Sequence, residues 1–107
     1  MEIREAQRQA WVNKLAKGFN TTDVAKEFML MVEEVGEAFS AWRKEKPDFG
    51  EELADVATFL FGVAEMTGVD LEREIEVKQH KVRERHYEKL PNGTLIKRET
   101  YEREMGE

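Results

Sequence analysis

The chain has 107 residues, a formal net charge of -6 and 37% charged side chains, a composition typical of one small helical domain with solvated outer faces. An acidic chain lacks the clustered Lys and Arg that neutralise a phosphate backbone, so we expect no binding to a nucleic acid polymer. The absence of cysteine excludes disulfides, zinc–thiolate sites, iron–sulfur clusters and thiol nucleophiles, and it is compatible with a cytoplasmic location.

Two helices are predicted in the first half of the chain. Residues 3–17 form the first, which Gly18 ends. The second is expected to run to about Lys46, before Pro47, with its N-cap among residues Asn20, Thr21 and Thr22. Apolar side chains recur along it at spacings of four and three, which predicts one buried stripe: Val24, Phe28, Val32, Val35, Phe39 and Trp42.

Two more helices and a short arm are predicted in the second half. The third spans about 49–67 between Asp48 and Gly68, and its apolar residues lie almost all round it, which favours burial on several sides. The fourth follows Asp70 and runs from Leu71 to about Tyr87. Asn92 and Gly93 then form a strong turn signal, so a short hairpin or extended arm is expected.

These elements predict an all-α fold in a single domain, 1–107, with a helical core of about 3–88 and a C-terminal arm of about 89–107. The arm ends in a highly charged stretch, 97–107, expected to fray or to pack on another subunit. The longest apolar stretch, 56–66, contains Glu65 and is too short to span a bilayer, and residues 1–5 lack the apolar core of a signal peptide. We therefore expect no membrane association.

Acidic residues form a cluster on each of two neighbouring helices. Residues 33–37 read Glu-Glu-Val-Gly-Glu, and residues 52–55 read Glu-Leu-Ala-Asp. Carboxylates three apart lie side by side on a helix and repel one another, whereas a divalent cation would make the same arrangement favourable. Hard cations such as Mg2+ prefer oxygen ligands and often contact substrate phosphates, so the clusters predict a site for phosphate chemistry.

A plain solvated surface is the alternative interpretation of these acids. Either cluster alone is more often a solvated face, because acidic residues three apart are common in charged helices. Both clusters, however, continue into apolar or small residues along their own face, namely Leu30, Ala41, Phe59 and Gly62. Carboxylates that point into a helix–helix interface are costly unless they are paired or bound to metal, so the two clusters together favour a site.

The pattern Glu-Glu-x-x-Glu, followed after a short gap by Glu-x-x-Asp, resembles the MazG-like all-α nucleoside triphosphate pyrophosphohydrolases. The resemblance covers roughly residues 3–88, and the Val-Gly filling and the Ala-Asp-Val that ends the second motif are also typical of the family. It implies a four-helix MazG-like bundle. It also implies that Glu34, Glu37, Glu52 and Asp55 are Mg2+ ligands, with Mn2+ as a possible substitute, and that Glu33 is a supporting acidic position. Glu33, Glu34 and Glu37 are accordingly the expected catalytic residues.

Basic and polar residues outside the clusters give weaker signals. Lys81 and Arg85 are four apart on the predicted fourth helix, where the alternatives are a solvated basic stripe and a phosphate clamp. They resemble the family's basic residues in this helix, although Val82 stands where Asn is usual. Residues 17–20, Lys-Gly-Phe-Asn, resemble a segment near the family's nucleotide pocket, which implies that Lys17 and Asn20 also bind substrate.

The resemblance implies hydrolysis of a nucleoside triphosphate to the monophosphate and pyrophosphate, a nucleotide-metabolism role, by a homodimer or homotetramer. The chain is short, and its third helix is apolar on more faces than a four-helix monomer can cover, through Val56, Phe59, Leu60, Phe61 and Val63, which also favours oligomerisation. Two alternatives stay open: a non-catalytic helical oligomerisation module with a structural cation, and a regulator that binds a nucleotide without turnover.

Overall fold

The computed structural model describes residues 2–97 and shows four α-helices followed by a two-stranded antiparallel hairpin, which confirms the predicted mostly helical character. The elements are α1 (Ile3–Lys17), α2 (Val24–Arg43), α3 (Phe49–Thr67), α4 (Leu71–Glu84), β1 (Tyr87–Lys89) and β2 (Leu95–Lys97). Of the predicted charged stretch, 97–107, residues 98–107 lie outside the described residues. Within the described range, every helix falls short of the length and apolarity needed to cross a membrane.

Glycines end α1 and α3, as predicted. Gly18 has φ 71° and its N–H is directed at the carbonyls of Leu15 and Lys14, while Gly68 repeats this geometry at the end of α3 with φ 73°. A left-handed residue after a helix lets the chain turn back and satisfy the last carbonyls, and glycine adopts it without a Cβ clash. These two stops therefore follow directly from local sequence.

The start of α2 differs from the prediction. Asp23 is the N-cap, and its side chain accepts a hydrogen bond of 3.1 Å from the Lys26 N–H. Asn20 instead folds the preceding loop, where its Oδ1 accepts from the N–H groups of Thr22 at 3.3 Å and Asp23 at 3.0 Å. Asn, Thr and Asp all favour such positions, so composition alone did not separate the cap from the loop. The helix also ends at Arg43, three residues earlier than expected.

The chain divides into two compact units, Met1–Glu74 and Ile75–Glu107. In the first unit, α2 packs against α3 and α1 packs against α3. Small side chains allow the close approach of α2 and α3, since the buried apolar residues are Ala38, Ala41, Val63 and Ala64. Two polar side chains, Gln7 and Glu27, are also buried in this unit.

Gln7 is buried because its amide joins α1 to the end of α3 and the start of α4. Its Nε2 donates to the Val69 carbonyl at 2.8 Å and to Glu65 Oε1 at 3.1 Å, and its Oε1 accepts from the Leu71 N–H at 3.2 Å. Burying an amide is favourable only when such partners are present. Gln7 thus fixes one end of α1 against the α3–α4 connection.

The predicted buried stripe on α2 is wrong for the single chain. Val32 is 67% exposed and Trp42 is 60% exposed, and Phe28, Val35 and Phe39 are exposed as well. The face of α2 that packs inward instead carries Glu27, Leu30, Met31, Glu34, Ala38 and Ala41. Periodicity identifies which face is apolar but not what covers it. The more apolar face of α2 is therefore exposed in the single chain.

The second unit contains most of α4 and the hairpin. The helix ends at Glu84, shorter than the predicted end near Tyr87, so Arg85 lies just beyond it. The strands pair Tyr87 with Lys97 and Lys89 with Leu95. Gly93, with φ 89°, donates its N–H to the Leu90 carbonyl at 2.8 Å, and this turn confirms the predicted hairpin.

Candidate functional site

Three carboxylates meet where α2 packs against α3. Glu34 and Glu37 are one turn apart on α2, and Glu52 is in the first turn of α3. One oxygen from each lies within 4.8 Å of the others. The close packing of α2 and α3 brings together three of the four predicted carboxylates, from two acidic motifs that are separated in sequence.

Two oxygens of this acidic cluster (Glu34, Glu37 and Glu52) are buried without compensation. Among the described residues, Glu34 Oε2 and Glu52 Oε2 are buried and have no hydrogen-bond partner. Burial, then the charge of Glu37 and then that of Asp55, raise the pKa of Glu34. Burial, then Glu37 and then Asp48, raise the pKa of Glu52. Both carboxylates are thus held where their charged form is disfavoured.

This arrangement fits a hard divalent cation. Mg2+ binds carboxylate oxygens, and a cation between the helices would supply the two buried oxygens with the partner that they lack. The donor set also lacks the thiolates that softer metals prefer, because the chain has no cysteine. Glu34, Glu37 and Glu52 are the residues that would hold the ion.

Asp55, the fourth predicted ligand, lies at the border of the acidic cluster. Its charge contributes to the raised pKa of both Glu34 and Glu52. It also lines a neighbouring pocket of about 260 Å3, together with Lys14, Phe19, Glu27 and other residues of α1 and α3. Asp55 therefore connects the acidic cluster to an adjoining cavity, and its role as a ligand stays a prediction.

The other predicted residues of the first unit are placed differently. Glu33 is exposed and lines a shallow depression with Phe28, Met29 and Val32, on the apolar outer face of α2. Lys17 is exposed at the end of α1. Neither belongs to the three-carboxylate group among the described residues, so their functional roles stay predictions.

Asn20 has a structural role that the sequence did not reveal. Its Nδ2 donates to the Asp23 carbonyl at 2.8 Å and to Glu27 Oε1 at 3.1 Å, while its Oδ1 accepts two backbone N–H groups. These four bonds occupy both donors and the acceptor of the amide. Asn20 thus holds the α1–α2 loop and positions Glu27, and its predicted contact with substrate remains untested.

Glu27 is the residue of this region that sequence reasoning missed. It is 1% exposed, and its Oε1 forms an ion pair of 2.9 Å with Lys14 Nζ. Glu27 lies seven residues before Glu34, two helical turns away, so it shares the inward face of α2. That spacing was the available signal, but a single glutamate near a helix start also fits a solvated position.

Lys81 and Arg85 belong to the second unit. Lys81 is exposed on α4, and Arg85 is half-buried one residue beyond the end of that helix. Arg85 therefore does not lie on the helical face that carries Lys81, and the phosphate clamp stays a prediction.

Comparison with protein-family models, with curated proteins and with solved structures gives no match for this chain. The functional assignment therefore depends on the site itself.

Proposed function

We propose that this protein is a MazG-like nucleoside triphosphate pyrophosphohydrolase that uses Mg2+, or Mn2+ in its place, to release pyrophosphate and leave a nucleoside monophosphate. The observation that carries the proposal is the acidic cluster with its two buried and unpartnered oxygens. A pure surface of solvated acids would not bury oxygens in this way. The motif resemblance supplies the reaction class.

The reaction is a hydrolysis at the α-phosphorus. Water attacks this atom, the bond to the bridging oxygen of the β-phosphate breaks, and pyrophosphate leaves. When bound, Mg2+ would supply charge neutralisation for the triphosphate and activation of water. Glu34 or Glu37 would accept the proton of the attacking water.

Lys81 and Arg85 are proposed to offset the negative charge of the leaving pyrophosphate. Cationic side chains stabilise a phosphate best when its charge grows in the transition state. Glu33 would support catalysis without holding the metal, and Lys17 would contact substrate near the α1–α2 loop, as the resemblance implies.

A second copy of the chain is the proposed cover for the apolar outer face of α2. Phe28, Val32, Phe39 and Trp42 are all exposed in the single chain. Contiguous apolar surface of this kind marks an interface in most proteins, and a homodimer or homotetramer would bury it. Light scattering at micromolar concentration should then give a mass of at least two chains, whereas a stable monomer would contradict this part of the proposal.

Product identity tests the proposed reaction. Purified protein is incubated with the common and modified nucleoside triphosphates, with and without Mg2+, and the products are separated by ion-exchange chromatography. The expected products are monophosphate and pyrophosphate, only when the metal is present. Diphosphate and orthophosphate would mean attack at the γ-phosphorus and would contradict the assignment.

The same assay decides between the proposal and its alternatives. Nucleotide binding without product would indicate a regulator. Metal binding without either would indicate a helical oligomerisation module with a structural cation. Glu37→Gln is the matched active-site variant, because it retains the size of the side chain and removes its charge, and it should abolish hydrolysis.

A further inference from the structure

The pocket beside the acidic cluster is lined by charged side chains, Lys14, Glu27 and Asp55, and by apolar ones. Its volume is about 260 Å3, and Phe19, Phe59 and Ala10 line its walls. This is smaller than the cavities that hold drug-sized ligands, so it suits a single heterocycle. Aromatic side chains are also surfaces on which nucleobases stack.

Glu27 offers this pocket a buried hydrogen-bond acceptor. Its Oε1 is already held by Lys14 at 2.9 Å and by Asn20 at 3.1 Å. Its Oε2 is buried and, among the described residues, has no hydrogen-bond partner. An unpaired buried carboxylate oxygen is costly, so a ligand that donates a hydrogen bond to it gains specificity as well as affinity.

Gly62 leaves open the space in front of this oxygen. A Cβ at that position would lie 3.9 Å from Glu27 Oε2 and 3.8 Å from Lys14 Cδ, at ordinary van der Waals distances. Both Gly62 and Glu27 line the pocket, so the space left by the missing side chain lies between the cavity and the buried oxygen.

Lys14 places a donor beside the acceptor. An ammonium group has three donors, and the contact with Glu27 uses one of them. The pair therefore presents an acceptor next to a cationic donor. Cytosine and adenine carry the complementary pattern, an exocyclic amino group next to a ring nitrogen that accepts, whereas uracil and hypoxanthine carry a carbonyl next to a ring N–H.

We propose that this pocket is the base subsite and that Glu27 selects nucleotides whose base carries an amino group, cytosine or adenine, through a hydrogen bond from that group to Oε2. The inference rests on the proposed function, because the triphosphate of the same nucleotide would lie at the acidic cluster. Asp55 lines the pocket and borders the cluster, so the two sites adjoin. Glu27 is thus a specificity-determining residue outside the predicted site.

Two matched pairs of substrates test the selection. CTP differs from UTP, and ATP from ITP, in the amino group and the adjoining ring nitrogen. We expect kcat/KM to be at least about tenfold higher for the amino member of each pair, the discrimination typical of one hydrogen bond to a charged group. Equal values within both pairs would overturn the proposal while leaving the hydrolytic function intact.

Glu27→Gln should invert the preference. If the glutamine carbonyl retains the contacts with Lys14 and Asn20, its NH2 occupies the position of Oε2 and donates towards the pocket. Uracil and hypoxanthine, which present a carbonyl there, would then be preferred. An unchanged CTP to UTP ratio in a folded Glu27→Gln protein would contradict the assignment.

Glu27→Gln removes the ion pair of Lys14 and therefore destabilises the protein. Gly62→Ala is the second variant, because it leaves this pair intact. The added methyl group meets only ordinary contacts and favours the helix, so the protein should fold. It should reduce the preference for the amino bases, because the methyl group fills the space next to Oε2. Gly50→Ala, on the same helix but with nothing within 4 Å of its Cβ, is the control and should change neither ratio. Wild-type ratios in Gly62→Ala would argue against the pocket.

Binding of free nucleosides separates this proposal from the hydrolytic function. Cytidine and uridine, without Mg2+, are titrated into the protein and followed by NMR chemical shifts. Cytidine should bind more tightly and shift the resonances of Phe59 and Gly62. If no triphosphate is hydrolysed but cytidine still binds selectively, the pocket stands and the proposed reaction fails. If the triphosphates are hydrolysed while neither nucleoside binds at Phe59 and Gly62, the base subsite is wrong.

Discussion

Glu27 and Glu34 lie on the same face of α2, two turns apart, yet their surroundings are opposite. Glu27 meets a lysine and an asparagine, so one of its oxygens is fully satisfied. Glu34 meets Glu37 and Glu52, and its pKa is raised by burial and then by their charges and that of Asp55. Each retains one buried oxygen without a partner among the described residues.

A buried glutamate therefore serves two different purposes in this protein. A carboxylate paired with a buried cation contributes to the folded state, because removal of either partner leaves a charge in a poorly solvated place. A charged carboxylate surrounded by other carboxylates destabilises the folded state unless a cation binds between them. The first arrangement is complete within the chain, and the second is completed by a ligand.

The largest expected effect comes from breaking the pair at Glu27. Lys14→Met retains the apolar stem and removes the charge, so Glu27 is left buried without its cation, and the free energy of unfolding should fall by about 3–5 kcal/mol. Urea denaturation at neutral pH measures it. Lys17→Met, at the exposed end of the same helix, is the control and should change stability little. Equal losses of stability in Lys14→Met and Lys17→Met would show that the ion pair with Glu27 does not cause the effect.

The double variant Lys14→Met with Glu27→Leu sharpens this result. It removes both charges, and replacement of a buried ion pair by apolar side chains is often neutral. We therefore expect it to recover most of the lost stability. Failure to recover would mean that Lys14 acts through packing rather than charge.

The ends of most helices were predictable from local sequence, because Gly18, Gly68 and the Asn92-Gly93 turn carry their backbone preferences with them. The meeting of Glu34, Glu37 and Glu52 was predictable in outline, since helical spacing places acids on one face. Glu27 was not, because its burial depends on Lys14 from α1, a contact between residues 13 apart in sequence. The exposure of Trp42 and its stripe was also beyond reach, since periodicity does not say what covers a face.

Metal binding is the corresponding test of Glu34 and its neighbours. Mg2+ at about a hundred times its dissociation constant should stabilise the folded protein by about 2.7 kcal/mol, seen as a rise in melting temperature. Glu37→Ala and Asp55→Ala should each abolish the rise. Glu33→Ala, on the outer face of the same helix, should retain it. A rise that persists in both ligand variants would place the metal elsewhere.

Lys81 and Arg85, on the second unit, are the residues proposed to offset the charge of the leaving pyrophosphate. A charge-assisted hydrogen bond contributes about 1.5–3 kcal/mol, so Lys81→Ala or Arg85→Ala should lower kcat/KM roughly ten- to a hundredfold. Folding and the rise in melting temperature with Mg2+ should be unchanged. Arg83→Ala, an exposed neighbour between them, is the control. Near-normal activity in both Lys81 and Arg85 variants would return these residues to the solvated surface.

A smaller change in stability is expected at Glu34, and its sign is opposite to that of Lys14→Met. Glu34→Gln removes one charge from the acidic cluster, so the metal-free protein should become more stable, by about 0.2–0.5 kcal/mol for each like-charged neighbour at helical spacing. The rise in melting temperature with Mg2+ should be lost at the same time. Glu33→Gln changes the net charge equally but lies outside the cluster, and it should do neither. A destabilised Glu34→Gln protein would mean that Glu34 resembles Glu27 after all.

The smallest expected effect concerns a third carboxylate, Asp70, which is partnered but exposed. A hydrogen bond from Arg4 holds the pKa of Asp70 below its ordinary value of 3.8 despite some burial. The charged form is therefore favoured in the folded protein, so its contribution to stability is present above the unfolded pKa and is lost as the pH falls through the folded pKa. Asp70→Asn removes the charge, and asparagine is an equally good helix cap, which preserves the contact with the Arg73 N–H. The wild-type protein should be the more stable of the two at neutral pH, and the difference should shrink once the pH falls below 3.8.

Because the ion pair is open to solvent, high salt should also reduce the difference at neutral pH, unlike the effect of Lys14→Met. A difference that is independent of both pH and salt would show that Asp70 contributes only as a cap.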